Sequence, residues 1–233
     1  MKYMCILFLF VNILACKKKS EETREIQRST VTDIEGNVYQ TVKIGDQWWM
    51  AENLKVKKYN DGSSVNEVLD TEHDSIWSKK MDGAFYFNNI SSCILYNGFV
   101  VKDARKIAPE GWHIPSDEEW KTLEKTIGMS SSDAEKTAWR GTDEGNKLTS
   151  KYSAGWPSTS ILLGTDEYGF NAVPGGNRVY DGYKNTKGSM SFWWSSTSKG
   201  DNIWYRYLDY QKTSIFRHYV DMHYGFTIRC VKD

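Results

Sequence analysis

The residues best equipped for chemistry sit in one stretch, EGWHIPSDEEW, Glu110 to Trp120. His113 stands three residues before Ser116, and Asp117, Glu118 and Glu119 follow at once. A histidine beside carboxylates is the raw material of a metal site or an acid–base pair. The same residues also spell the entrance to a helix. Ser116 and Glu119 have capping-box spacing, and three acids in a first turn suit the positive end of the helix dipole. Trp120, Leu123 and Ile127 then fall on one apolar face. The stretch is therefore read as a helix over 116–127 ended by Gly128. His113 lies in extended chain before Pro115 and need not point at the acids, and no catalytic residue is assigned.

Metal chemistry has two further candidate places. His218 and His223 flank Asp221, but on a continuous strand they face opposite ways. They approach each other only if 220–222 is a turn, and zinc would still need more ligands. Calcium is the one candidate cofactor, through Asp143, Glu144 and Asn146 or through Asp166, Glu167 and Asn171. Neither set has EF-hand spacing, so the expectation is no metal and no cofactor. GTDEGNK, residues 141–147, lacks the Lys-Ser/Thr ending of a phosphate-binding loop.

Binding through aromatic rings is the chemistry the composition favours. The 233 residues include 10 Trp, 14 Tyr and 9 Phe, and the 30 basic residues balance 30 acidic ones. That balance argues against nucleic acid as a partner. Tyr180, Tyr183, Trp194 and Trp204 are the ligand-binding candidates. They lie in or beside the Gly-rich loops from Gly141 to Thr197 and the strand-like NIWYRYLDY, where binding residues gather. In extended chain Trp193 and Trp194 point to opposite faces, as do Trp48 and Trp49, so at most one of each pair serves a ligand.

These residues must be positioned by a folded unit of about 30–233. Before it, MKYMCILFLFVNILAC has Lys2 and then an apolar run too short to span a bilayer. It has the size of a signal-peptide core, and its ending Ile-Leu-Ala-Cys resembles a bacterial lipobox. The reading is a lipoprotein signal peptide at 1–15, a lipidated Cys16 and a flexible tether at 16–29. Within the domain, Val38, Gln40, Val42 and Ile44 alternate with Tyr39, Thr41 and Lys43 ahead of a Gly45-Asp46 hairpin turn. Asn60-Asp61-Gly62 marks another turn. A second helix is expected to start at a Ser132 cap, with Glu135 three later and Ala134, Ala138 and Trp139 inside. In YGFTIRCVKD, Phe226, Ile228 and Cys230 share one face and Thr227, Arg229 and Val231 the other. Early helices, strands at both ends and long loops between them read as α+β.

Seven stretches carry a family resemblance: QWWMAENLKV, LYNGF, APEGWHIPSDEEW, GFNAVPGG, WWSST, WYRYL and GFTIRCVKD. In this order they resemble the Fibrobacter succinogenes major paralogous domain, found in lipoproteins of Bacteroidetes-type bacteria. The resemblance implies a C-type-lectin-like fold with two short helices, antiparallel strands and a long loop-rich region. It also implies distant kinship with formylglycine-generating enzymes and an outer-membrane address. Relatives often carry a Cys where this chain has Ala108, so a bridge to the C-terminal strand must come from elsewhere. Cys93 and Cys230 are the candidate disulfide of an exported chain, with two buried thiols as the alternative.

The function expected is a non-catalytic binding or adhesion module of the cell envelope, held to the membrane by lipid, for glycan or a surface protein. The alternatives are a structural component of an envelope or fimbria-like assembly and an enzyme related to formylglycine generation. The last would need two reactive cysteines at a metal, and neither Cys93 nor Cys230 has a neighbouring ligand at suitable spacing.

Overall fold

The computed structural model describes residues 25–69, 74–161, 163–182, 184–185 and 188–233. The stretch read as a signal peptide, Cys16, most of the stretch read as a tether and Tyr183 lie outside the described residues. The elements in chain order are β1 (Arg28–Thr32), β2 (Val38–Ile44), β3 (Gln47–Met50), β4 (Asn66–Glu67), α1 (Asp74–Ser78), β5 (Ala84–Asn88), β6 (Cys93–Asn97), α2 (Gly98–Lys102) and β7 (Trp112–His113). They continue with α3 (Asp117–Thr126), α4 (Ser131–Glu135), β8 (Ala138–Arg140), α5 (Glu144–Leu148), β9 (Asn177–Arg178) and β10 (Lys184–Asn185). The last five are β11 (Met190–Lys199), β12 (Asn202–Asp209), β13 (Ile215–Asp221), β14 (Gly225–Phe226) and β15 (Val231–Lys232). Five short α-helices among the described residues replace the two expected, because helices of one turn leave little periodic signal. No helix of the described residues is long and apolar enough to cross a membrane.

Three sheets hold the strands, in the orders β1-β2-β3-β15-β7, β10-β9-β14-β6-β5-β4 and β11-β12-β13-β8. All pairings are antiparallel except β4 with β5. The β2–β3 hairpin turns on Gly45-Asp46, where Gly45 takes φ 61°, a left-handed value that glycine adopts at little cost. The first strand begins at Arg28, two residues inside the stretch read as tether, and Ile26 already packs against the core. Tyr39 and Thr41 are buried as well as Val42 and Ile44, because β2 is covered on both sides.

The segment Gly225–Lys232 ties the sheets together. Gly225 and Phe226 pair with β6 and β9, Thr227 bridges Trp193 of β11, and Val231 sits between Trp49 and His113. Its alternation holds: Phe226, Ile228 and Cys230 enter one apolar cluster, while Val231 enters the other.

That alternation also keeps the cysteines apart. Cys93 and Cys230 are both buried free thiols, not a disulfide. Asn53 bonds Arg229 and also reaches the Cys93 sulfur at 3.6 Å, so Cys93 lies on the Arg229 side of the segment. Cys230 faces the other way, beside Met50.

The helix α3 begins at the expected cap. Ser116 Oγ accepts from the Glu119 N–H at 3.2 Å, and the Glu119 carboxylate accepts from the Ser116 N–H at 2.7 Å. The next helix is capped by Ser130, not Ser132. Ser130 also bonds Asp133, so the cap that wins is the one with a second partner. Trp139 is not on that helix but in β8, paired with Phe216.

Candidate functional site

The sheet β11-β12-β13-β8 sorts its side chains by strict alternation. Phe192 opposes Tyr207, Trp194 opposes Tyr205, Tyr205 opposes His218, and Tyr207 and Trp139 both oppose Phe216. Residues directly opposite share a face. One face is therefore almost wholly aromatic. Phe192 and Tyr207 stack with centroids 4.4 Å apart and planes within 4°. Trp139 lies 5.0 Å from Tyr207 and 5.2 Å from Phe216. Toward the other end the rings continue from Phe192 to Phe226 at 4.9 Å, to Tyr224 at 5.8 Å and to Tyr180 at 6.1 Å.

Most of this row is half-buried rather than sealed. Trp139, Tyr205, Tyr207, Phe216 and Tyr224 are all partly open to solvent, and Tyr180 is 56% exposed. The phenols of this face are held neutral. Burial pushes the Tyr205 phenol up to about 12. Burial and a hydrogen bond to the Asp209 carboxylate raise that of Tyr207. Both hydroxyls therefore stay protonated at neutral pH, available as polar tips on apolar rings.

The opposite face is the reverse in chemistry. Here Arg206 and Arg217 grip Asp117, at 2.8 Å and 2.6 Å, and Arg206 and Arg140 grip Glu124, at 2.6 Å and 2.7 Å. All five side chains are buried between the sheet and α3. Burial alone would raise the Asp117 carboxyl, but the hydrogen bonds from Arg217 and Arg206 hold it below its ordinary value. Burial lowers the Arg140 guanidinium. Asp117 thus serves twice, in the first turn of α3 and as the acid that docks the helix on the sheet.

The four aromatic candidates separate. Tyr180 lies at the exposed end of the ring row. Trp194 shares the row's face but is completely buried, donating its indole N–H to the Tyr96 carbonyl at 2.7 Å, so it is a core residue and not a ligand anchor. Trp204 is on the charged face, where Arg217 lies 3.9 Å over its ring and Tyr219 meets it edge-on. Tyr183 is outside the described residues. Sequence reasoning missed Trp139, Phe216 and Tyr224; the alternation in SIFRHYV was the signal that would have found Phe216.

His113 does reach the acids. Its Nε2 is 2.7 Å from Glu119 Oε1 and its Nδ1 is 2.6 Å from Asp233 Oδ1. Burial acts to lower it, yet the bonds to the two carboxylates win and raise it above the ordinary histidine value. Cavities of about 440 and 230 Å³ adjoin here, sharing Lys106, Trp112 and Asp233.

The other polar candidates do not converge. His223 bonds Asp221 at 2.6 Å, while His218 stacks on Tyr219. The loop acids hold the chain itself: Glu144 accepts from the Thr142 N–H and Asp166 from the Asn171 N–H. Among the described residues no three His, Cys, Asp or Glu are grouped to hold a metal ion. Burial raises the Cys230 thiol well above its ordinary value, which disfavours thiolate.

No curated protein and no solved structure matches the chain. The model of the Fibrobacter succinogenes major domain matches residues 42–232, from the middle of β2 through β15, and so takes in both faces of the sheet. The chain belongs to the Fibrobacter succinogenes major domain family.

Proposed function

We propose that the protein is a non-catalytic binding module of the cell envelope, tethered to the outer membrane through a lipidated Cys16, whose ring row grips a neutral glycan. One observation carries the reading: half-open rings form a continuous row along one sheet face. Sugars present apolar C–H faces ringed by hydroxyls, and a flat row of rings with phenolic tips offers the matching surface. The C-type-lectin-like form of the fold follows from the family resemblance and agrees with antiparallel sheets carrying short helices.

The test is retardation of the purified chain in gels holding neutral polysaccharides. Tyr207→Ala and Phe216→Ala are expected to weaken retardation by about 1–2 kcal/mol each, and Trp204→Ala, on the opposite face, to leave it unchanged. Failure of every neutral polysaccharide to retard the protein would overturn the glycan reading. A Cys16→Ser chain that stays with the membrane fraction would overturn the lipid anchor.

One feature favours a second reading, as a component of an envelope or fimbria-like assembly. The strand β1 is polar and exposed, and among the described residues it is an edge of its sheet, the place where another chain can pair.

A further inference from the structure

Three large side chains of one loop region stand in water with nothing apolar over them. Tyr152 is 85% exposed, Leu163 74% and Ile161 53%. Their backbones are nevertheless tied down. The Tyr152 N–H donates to the Gly164 carbonyl at 2.8 Å, the Leu163 N–H to Asn146 Oδ1 at 3.1 Å and the Ile161 N–H to the Tyr210 carbonyl at 2.8 Å. Tyr152 is held at φ 56°, a left-handed value that persists only where the surroundings impose it. These amides are spent inside the protein, so the side chains can leave water without carrying unpaired backbone groups with them.

The same region adjoins the start of the described chain. Gly169 packs so closely on Ile26 and Arg28 that a Cβ there would touch both, and its N–H donates to the Asp166 carbonyl at 3.0 Å. Leu163 is three residues before Asp166, so within about 11 Å of it. Nine residues lead from Cys16 to Glu25, a length that spans at most about 30 Å of extended chain. A lipid on Cys16 therefore holds this corner of the domain close to the bilayer. The nearby charges balance, with Arg28 and Lys151 set against Asp166 and Glu167. Lys151 lies 5.6 Å over the Tyr152 ring, the pairing of stem, ring and cation that suits a membrane–water interface.

We infer that this corner is a membrane-contact surface, with Tyr152, Ile161 and Leu163 entering the interface of a zwitterionic lipid leaflet. The inference rests on the lipid-anchor reading of Cys16, which sets the chain start at that leaflet. It does not depend on the glycan reading. A lipid on a flexible tether leaves a domain free to swing, and a second, apolar contact fixes which way it faces.

The experiment measures depth in the bilayer. The chain over residues 16–233 with Cys16→Ser is held on phosphatidylcholine vesicles by an N-terminal hexahistidine tag on nickel-chelating lipid. This sets the chain start at the surface whether or not Cys16 is lipidated in the cell. A fluorophore is placed at Leu163→Cys or, as control, at Met81→Cys; Met81 is 73% exposed but precedes β5, in the sheet that lacks the chain start. Cys93 and Cys230 are buried, and the chain without an added cysteine gives the labelling blank. Quenching by lipids spin-labelled on the acyl chain should be at least about threefold stronger at 163 than at 81. It should be insensitive to salt, because no net charge drives it. Tyr152→Ser with Ile161→Ser should at least halve the quenching at 163 with an unchanged circular dichroism melt. Equal quenching at the two positions, a signal abolished by salt, or quenching untouched by the double variant would each overturn the inference. The Cys16 reading stands or falls separately, on membrane fractionation of the Cys16→Ser chain in cells.

Discussion

On the α3 side of the four-stranded sheet, three arginines and two acids are buried; on the other side, Tyr205, Tyr207, Phe216 and Trp139 are left partly open. The usual sorting puts charge outside and large rings inside. Here a single strand does the opposite on both sides at once, and the side chains responsible are neighbours in sequence. Arg206 goes in with Asp117 and Glu124, while Tyr205 and Tyr207 stay half out. A slip of one residue in β12 would exchange the two sets. Buried charges tolerate few geometries, so the network fixes the register and thereby fixes where the rings emerge. This is the specificity role that buried ion pairs can serve even where they add little net stability.

The comparison breaks most sharply at the network. Glu124→Ala leaves Arg140 and Arg206 without their shared acid and should cost about 3–5 kcal/mol in denaturant unfolding. A loss under about 1 kcal/mol would mean that water reaches the network.

The ring face can be graded in the same assay. Trp194→Ala opens a cavity and is expected to cost about 3–5 kcal/mol. Tyr207→Ala, half-open on the same face, should cost about 1 kcal/mol. Equal losses would show the row to be core throughout and remove the contrast between the two faces.

Smaller effects test how α3 is held to the sheet. Ser116→Ala deletes one side of the capping box and should cost about 0.5–2 kcal/mol while leaving glycan retardation unchanged. His113 should matter least, because it is partly exposed and screened. Its value is raised in the folded state, so its contribution is complete below the unfolded histidine value and fades as pH rises through the folded one. Wild type should therefore lose a few tenths of a kcal/mol between about pH 6 and 9 relative to His113→Gln; parallel curves would show that the two carboxylates do not stabilise the imidazolium.

Much of the local grammar was legible before any coordinates. The Ser116–Glu119 box, the Gly45-Asp46 hairpin and the alternation from Phe226 to Val231 are written in adjacent residues, and each stands as read. What adjacency cannot encode is which strand lies beside which. Trp139 reads as helix interior next to Ala134, and only its pairing with Phe216, far along the chain, makes it a ring on an open sheet. Trp194 and Tyr205 are both aromatic strand residues; the sealed one is the one whose indole reaches Tyr96 of β6. The His113–Asp233 contact likewise joins residues brought together by the pairing of β15 with β7.

The placement of Gly225–Lys232 in two sheets, with a bridge to the third, bears on how the chain is made. A growing polypeptide presents β2, β3 and β6 long before that segment leaves the ribosome, yet each of their sheets lacks a strand until it does. Closing contacts over so many residues is slow, and open strand edges are prone to wrong partners in the meantime. Folding is thus held back to a late, nearly all-or-none step. A chain broken off before residue 225 would present two unfinished sheets at once, a state that proteases and holding chaperones recognise readily.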